Sequence, residues 1–331
     1  MSDAPLLELD DVHKHYRSVH ALAGVTLSVM PGETLGIVGE SGCGKSTVAR
    51  IAVGLERPTS GEVRFRANAY PRSSRRLRAI RRRVGIVFQD PYDSLDPRFT
   101  LQRLVDEPLR AHGLPHDRAR IAELLTTVGM ETADLDSYAG QYSGGQRQRI
   151  GIARALATEP DLVVCDEPTS ALDVSVQAQI LNLLLELQRE RGLAYLFISH
   201  DLEVVRRMSD RLAVIYAGTI VETGPTPVVT SRPSHPYTRA LLDAVPATRP
   251  SERAVQEPRV LAEPVDALRT ACPFAPRCPR RADICVSDVP VLRPVDGRMV
   301  ACHFPLDRGA DSESDAGAGG DPAASTRAPV F

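Results

Sequence analysis

No stretch of this 331-residue chain approaches the ~18–20 consecutive apolar residues that a membrane span takes. The longest apolar runs, such as Leu193–Ile198 and Leu212–Ala217, have the length of strands. Charge of one sign is also missing. Lys and Arg number 40 against 42 Asp and Glu, a formal net charge of −2, which removes the electrostatic case for general binding to nucleic acid or anionic membrane. The N-terminal run MSDAPLLELDD is acidic and has neither the basic start nor the apolar core of a signal peptide. A cytosolic location is therefore expected, with any membrane contact made through a partner. Lysine is nearly absent: Lys14 and Lys45 are the only two among the 40 basic residues. A chain that uses Arg elsewhere and keeps Lys45 in a glycine-rich loop points to a need for a compact ammonium there.

What the chain does contain is strands alternating with helical patterns, the mark of an α/β fold with a mainly parallel sheet. Short β-patterned runs (LLELDDV, GVTLSVM, ETLGIVG, EVRFR) fill residues 6–66. Residues 72–83 carry seven arginines around Leu77 and Ile80, which read as a solvated helix face with two apolar anchors rather than a nucleic-acid patch. The strand VGIVFQ then ends at Gln89, and a helix-rich stretch runs to about Pro160. Strand DLVVCDEP follows, then a long helix over Val174–Arg191 with Val176, Ile180, Leu183, Leu184 and Leu187 on one face. Strand LAYLFISH, a helix over 201–210 and the pair RLAVIYAG/TIVETG complete the unit. Beyond about Ser231 the texture turns Pro-rich and weakly periodic, and the polar stretch after residue 306 reads as a disordered tail. With no internal repeat, one nucleotide module is expected.

Three motifs carry chemistry. Gly39-Glu40-Ser41-Gly42-Cys43-Gly44-Lys45-Ser46, followed by Thr47, satisfies the phosphate-loop pattern G-x-x-x-x-G-K-[ST]. Strand TLGIV leads in, and a helix with Val48, Ile51, Ala52 and Leu55 on one face leads out. Glycines let backbone N–H groups converge on phosphate oxygens at a helix N-terminus. Lys45 is placed to reach the β/γ-phosphates and Ser46 to ligate Mg²⁺. At the end of DLVVCDEP, Asp166 suits the Mg²⁺ shell and Glu167 can polarise an attacking water. Third, Tyr142-Ser143-Gly144-Gly145-Gln146 opens the helix GQRQRIGIARALA, with Ser143 as N-cap and glycines that let a second molecule's phosphate approach.

This third motif resembles the LSGGQ signature of ATP-binding-cassette (ABC) ATPases, with Tyr142 in place of Leu. In the family's order, Gln89 resembles the Q-loop, Ser170-Ala171-Leu172-Asp173 the D-loop and His200 the switch histidine; Tyr16, 29 residues before Lys45, stands where the family places an adenine-stacking aromatic. The resemblance spans residues 6–224. It implies a P-loop NTPase with a RecA-like core, an antiparallel β-subdomain and a helical subdomain over about 91–160. It also implies a head-to-tail dimer with each ATP between one chain's P-loop and the other's Ser143–Gln146. Gln89 would complete the Mg²⁺ shell and sense a transmembrane partner; His200 would hold the γ-phosphate and the attacking water.

DPYDSLDPR after Gln89, SRPSHPYTRALLDAVP (231–246) and CPFAPRCPRRADIC…VACHFP resemble the ATPase subunits of oligopeptide/dipeptide importers, a group that includes nickel and other small-solute systems. This implies a 1–230 ATPase domain, a 231–306 extension and a 307–331 tail. It further implies a second ATPase subunit (a copy or a paralogue), two transmembrane permeases, an extracytoplasmic solute-binding protein and a place on the cytoplasmic face of the membrane. Cys272, Cys278, Cys285 and Cys302 are spaced C-x5-C-x6-C-x16-C, without the tight C-x2–4-C pairs of a structural zinc site. The resemblance implies a four-iron four-sulfur cluster; zinc, with His303 a less favoured substitute ligand, and four unligated thiols stay open. A soluble ABC ATPase acting on nucleic acid or the ribosome is the alternative function, although such proteins usually carry two cassettes or a long coiled coil.

Overall fold

The computed structural model describes residues 4–17, 19–90, 94–131, 133–244 and 270–306. The tail expected over 307–331 lies outside them. Two sheets organise the chain. The smaller is antiparallel, in the order β2-β1-β4-β5, from β1 (Leu7–Tyr16), β2 (Val19–Val29), β4 (Ser60–Phe65) and β5 (Asn68–Ala69). The larger has eight strands in the order β11-β12-β10-β9-β3-β8-β7-β6. Its parallel part is β9 (Arg211–Tyr216), β3 (Thr34–Val38), β8 (Ala194–Ile198), β7 (Leu162–Asp166) and β6 (Val84–Val87). Strands β3, β7 and β8 are buried at every residue, which explains their unbroken apolar runs: a parallel strand covered on both faces has no polar side to show.

Helix α1 (Lys45–Ala52) lies between the sheets and buries Val48, Ala49, Ile51 and Ala52. It stops at Ala52, so Leu55, expected on the same apolar face, is exposed past the turn. Helix α2 (Ser74–Arg81) buries Leu77, packs the half-buried Ile80 against the core and keeps its arginines on the outside, as the charge run predicts. Strand β6 ends at Val87, two residues short of the expected end at Gln89. Helices α3 (Leu101–His112), α4 (Arg118–Thr127) and α5 (Gly144–Leu156) pack together, and α6 (Val174–Arg191) buries Ile180, Leu183, Leu184 and Leu187 as its periodicity predicts. Helix α7 (Leu202–Met208) follows β8, capped by Asp201.

The Pro-rich C-terminal region is built onto the larger sheet. After β10 (Thr219–Pro225) come α8 (Thr226–Ser231) and α9 (Pro236–Asp243). Past the undescribed segment, α10 (Ile284–Ser287) precedes the hairpin β11 (Arg293–Val295) and β12 (Arg298–Val300), and β12 pairs with β10 at Glu222↔Val300 and Thr223↔Met299. A buried charge pair locks this junction. Glu222, fully buried, accepts from the backbone N–H groups of Ser234 and His235 (both 2.9 Å) and meets Arg298 at 3.4 Å. Burial pushes the Glu222 carboxyl up, and these donors oppose the shift. Arg298 also donates to the carbonyls of Val228 (3.2 Å) and Arg232. Removing one member of such a pair strands a buried charge. Arg298→Met is therefore expected to cost about 3–5 kcal/mol, read as a lower urea midpoint with an unchanged slope.

Candidate functional site

Lys45 is the first residue of α1 and is buried. Its Nζ donates to the carbonyls of Gly39 (2.8 Å) and Glu40 (2.9 Å), so the loop folds around the ammonium. Gly44 sits at φ +108°, and a Cβ there would stand 2.5 Å from the Ala21 carbonyl oxygen, so glycine is required on both counts. Cys43 is a buried packing residue; burial pushes its thiol up, with the Lys45 charge opposing. Its carbonyl accepts from Gly218 N–H at 3.0 Å, tying the loop to the β9–β10 turn. Ser41 and Gly42 are exposed on the loop; Ser46 and Thr47 are half-buried.

Three more strand ends, those of β6, β7 and β8, deliver the rest. Ser46 Oγ donates to Asp166 Oδ1 at 3.2 Å. Burial raises the Asp166 carboxyl above its ordinary range; the Ser46 hydrogen bond opposes this and the Glu167 charge adds to it. Glu167 adopts φ +49°, left-handed backbone that a non-glycine residue takes only when its surroundings hold it there, and its N–H donates to Ile198 O at 2.9 Å. Its carboxylate is the meeting point of the site. Oε2 accepts from Gln89 Nε2 at 3.2 Å and pairs with His200 Nδ1 at 2.9 Å, while Oε1 lies 4.0 Å from Lys45 Nζ. The structure thus brings Lys45, Ser46, Gln89, Asp166, Glu167 and His200 into one polar cluster. Two carboxylates, one ammonium and a hydroxyl within that reach can hold a metal–phosphate group and orient a water against it.

The remaining predicted residues stand apart from this cluster. Ser143 caps α5, accepting from Gln146 N–H (3.3 Å), while Gln146 Oε1 accepts from Ser143 N–H (2.9 Å), a reciprocal capping box. Gly144 and Gly145 begin the helix; a Cβ on Gly145 would come within 2.4 Å of Val176 Cγ1 on α6. Tyr142, the departure from the usual Leu, shares a 2.6 Å hydrogen bond with Ser137 Oγ. Asp173 caps α6, and the Ser175 hydroxyl (2.6 Å) holds its carboxyl below the ordinary range. Tyr16 is partly exposed at the end of β1, with Lys14 Nζ 4.8 Å from its ring centre. Ser94–Phe99, just past Gln89, line an open groove with Leu104, Glu107 and Arg154, and Arg154 of α5 donates to Ser94 O at 2.7 Å. Sequence reasoning gave Arg154 no role at the site. It also missed two distant groups that reach Glu40, Tyr237 and Arg277.

The four C-terminal cysteines, together with His303, line one cavity. Burial raises the thiols of Cys272, Cys278 and Cys302, the last to about 11, and the neighbouring thiols add to the shift. Among the described residues, however, no group of three or more His, Cys, Asp or Glu side chains is disposed to hold a metal ion. The expected iron–sulfur cluster and the zinc alternative therefore have no support in this arrangement of side chains. A single zinc ion draws its ligands to about 2.0–2.3 Å of one point, and the thiols spread around the cavity wall are not so drawn.

Because the folded state raises the Asp166 pKa, it binds a proton more readily than the unfolded chain does, and stability falls as pH rises through that interval. A neutral amide avoids the penalty. Asp166→Asn is expected to raise the melting temperature of the nucleotide-free protein by about 1–3 °C while abolishing Mg²⁺-dependent nucleotide binding; calorimetry with and without MgATP reads both.

Comparison with known proteins identifies the family. Residues 22–170 match the family described as ABC transporter, and residues 221–285 match the oligopeptide/dipeptide transporter C-terminal region. A probable peptide ABC transporter ATP-binding protein of Sinorhizobium fredii is 46% identical over 321 residues, covering 92% of this chain and 90% of that protein. The dipeptide transport ATP-binding protein DppF of Escherichia coli is 42% identical over 320 residues, covering 92% and 95%. Among solved structures, cbiO1 of Clostridium perfringens, part of an ABC transporter complex, aligns with a TM-score of 0.63 at 30% identity, over 69% of this chain and 92% of that one. The dimeric ATP-binding cassette MJ0796, bound to ADP and phosphate, aligns at 0.61 and 33% identity, over 66% and 98%. The chain belongs to the ATP-binding subunits of ABC transporters, in the oligopeptide/dipeptide group.

Proposed function

We propose that this chain binds and hydrolyses ATP to drive uptake of oligopeptides, dipeptides or a related small solute. It would work at the cytoplasmic face of the membrane with a second ATPase subunit, two permeases and an extracytoplasmic solute-binding protein. Among the described residues no helix is long and apolar enough to cross a membrane; in this reading the permeases provide the passage. Relatives named for peptide, oligopeptide and dipeptide transport support the solute class. The ATPase domain over 1–230 and the extension over 231–306 are the units we propose.

The observation that carries the enzymatic reading is the Glu167 carboxylate, shared by Gln89 and His200 and facing Lys45. Lys45 would bind the β/γ-phosphates with the N–H groups of Gly39–Thr47. Ser46, Asp166 and Gln89 would hold Mg²⁺, which when bound neutralises charge on the phosphates. Glu167 would accept hydrogen bonding from the attacking water and His200 would fix that water and the γ-phosphate. Tyr16 would stack on adenine. Ser143, Gly144, Gly145 and Gln146 would close the site on the partner subunit's nucleotide, with Asp173 beside that junction; the dimeric state of the MJ0796 cassette supports this arrangement. The groove over Ser94–Phe99 continues the segment after Gln89 and is where we place the permease contact.

The four thiols line one cavity without forming, among the described residues, a metal-binding group, and a four-iron four-sulfur cluster there is supported only by the resemblance of the cysteine-bearing segment to the importer ATPases. We propose a structural cluster there, with no catalytic step routed through it.

Two measurements test these readings. Glu167→Gln is expected to keep MgATP binding and lower turnover by about 10²–10⁴-fold; turnover within a few-fold of the parent removes Glu167 from its role. Anaerobically purified protein is expected to show broad visible absorption and about four irons per chain. Colourless, iron-free protein would leave four unligated thiols.

A further inference from the structure

The phosphate loop of this chain carries an acid. Glu40 follows Gly39 directly, and a carboxylate in a loop that receives a polyanion opposes the ligand unless its charge is offset. The offset comes from 237 residues away. Arg277 grips Glu40 with both guanidinium nitrogens, Nη1 to Oε2 at 2.9 Å and Nη2 to Oε1 at 3.0 Å. This two-pronged geometry is the strongest an Arg–carboxylate pair adopts. The Glu40 backbone N–H donates to Tyr237 Oη at 3.0 Å, so the same loop residue is held at both its main chain and its side chain.

Arg277 is itself held in place. Its guanidinium lies 5.8 Å from the Tyr216 ring centre and 5.9 Å from that of Phe274. These rings and Tyr237 pack on one another with centroids 4.6–5.5 Å apart. Strand β9, helix α9 and the cysteine loop thus each supply an aromatic group to one platform. Arg277 immediately precedes Cys278, and its N–H donates to Phe274 O at 3.0 Å. The loop that carries Cys272 and Cys278 is therefore also the loop that contacts the P-loop.

We propose that Arg277 and Tyr237 are positioning residues for the nucleotide site, and that the cysteine loop, docked on the P-loop, sets ATP affinity by holding Arg277 on Glu40 so that the carboxylate charge is masked. The proposal rests on the reading of the Lys45 loop as the ATP site. By linkage, a loop whose docking strengthens ATP binding is itself docked more firmly when ATP is bound.

The test is MgATP affinity of the full chain, measured by calorimetry on Arg277→Gln, Arg277→Lys, Glu40→Gln and the double variant Glu40→Gln/Arg277→Gln. Arg277→Gln is expected to weaken binding about five-fold by leaving the Glu40 charge bare, and Arg277→Lys to recover part of that loss. The double variant is expected to bind more tightly than Arg277→Gln alone, because it has no bare carboxylate. A structural role for Arg277 predicts the same loss in both backgrounds, and that result overturns the proposal, as does unchanged affinity. Should Arg277→Gln fail to fold, hydrogen exchange of the 272–278 amides in the parent decides. Slower exchange with MgATP supports the linkage, and identical exchange refutes it. Lys45→Ala serves as the separate control: if it binds MgATP like the parent, the ATP-site reading itself falls.

Discussion

Parallel pairing of β3, β6, β7 and β8 is the constraint on which the site depends. Parallel strands end on the same edge of a sheet, and here the registers Ile37↔Ile198, Asp166↔Ile198 and Val87↔Cys165 bring four ends level. The phosphate loop leaves β3, the Asp166–Glu167 pair closes β7, His200 follows β8 and Gln89 follows β6. No individual contact gathers these groups; the sheet does, and the crevice at its carboxyl edge is where such folds bind ligands. The hydrogen bonds around Glu167 then set orientation within a site that strand order has already located. The left-handed backbone at Glu167 belongs to the same economy, since it turns a side chain at a strand end back over the loop.

Around this edge the protein adds elements that make no hydrogen bond to the Glu167 cluster among the described residues. The capped N-terminus of α5 is complete by itself, with Ser143 and Gln146 satisfying each other's N–H groups. It needs no partner to form, and so it can be presented to one. The close contact of Gly145 with Val176 fixes that terminus against α6, whose own cap is Asp173. Arg154 ties α5 to the segment after Gln89. A shift at any of these positions is transmitted through packed helices and buried hydrogen bonds, since close-packed interiors yield little.

The C-terminal region extends the ATPase sheet through β12 and reaches the phosphate loop through Arg277 and Tyr237. Its anchoring by the buried Glu222–Arg298 pair makes it a continuation of the nucleotide-binding body. Through Tyr237 and Arg277 this region reaches Glu40 in the Lys45 loop.

Residue patterns alone determined much of this. The buried runs of β3, β7 and β8, the face of α6, the phosphate loop, the Ser143 cap and the paired acids are all local signals. They are encoded within a few residues of one another, where periodicity and side-chain chemistry speak directly. The end of α1 before Leu55 and of β6 before Gln89 were misjudged because apolar residues continue past the point where the backbone turns. The convergence of Gln89 and His200 on one carboxylate oxygen, the spread of four thiols around a cavity wall and the grip of Arg277 on Glu40 were decided by tertiary structure alone. Each joins groups far apart in the chain, and their meeting depends on strand order and packing, which no short stretch of residues contains.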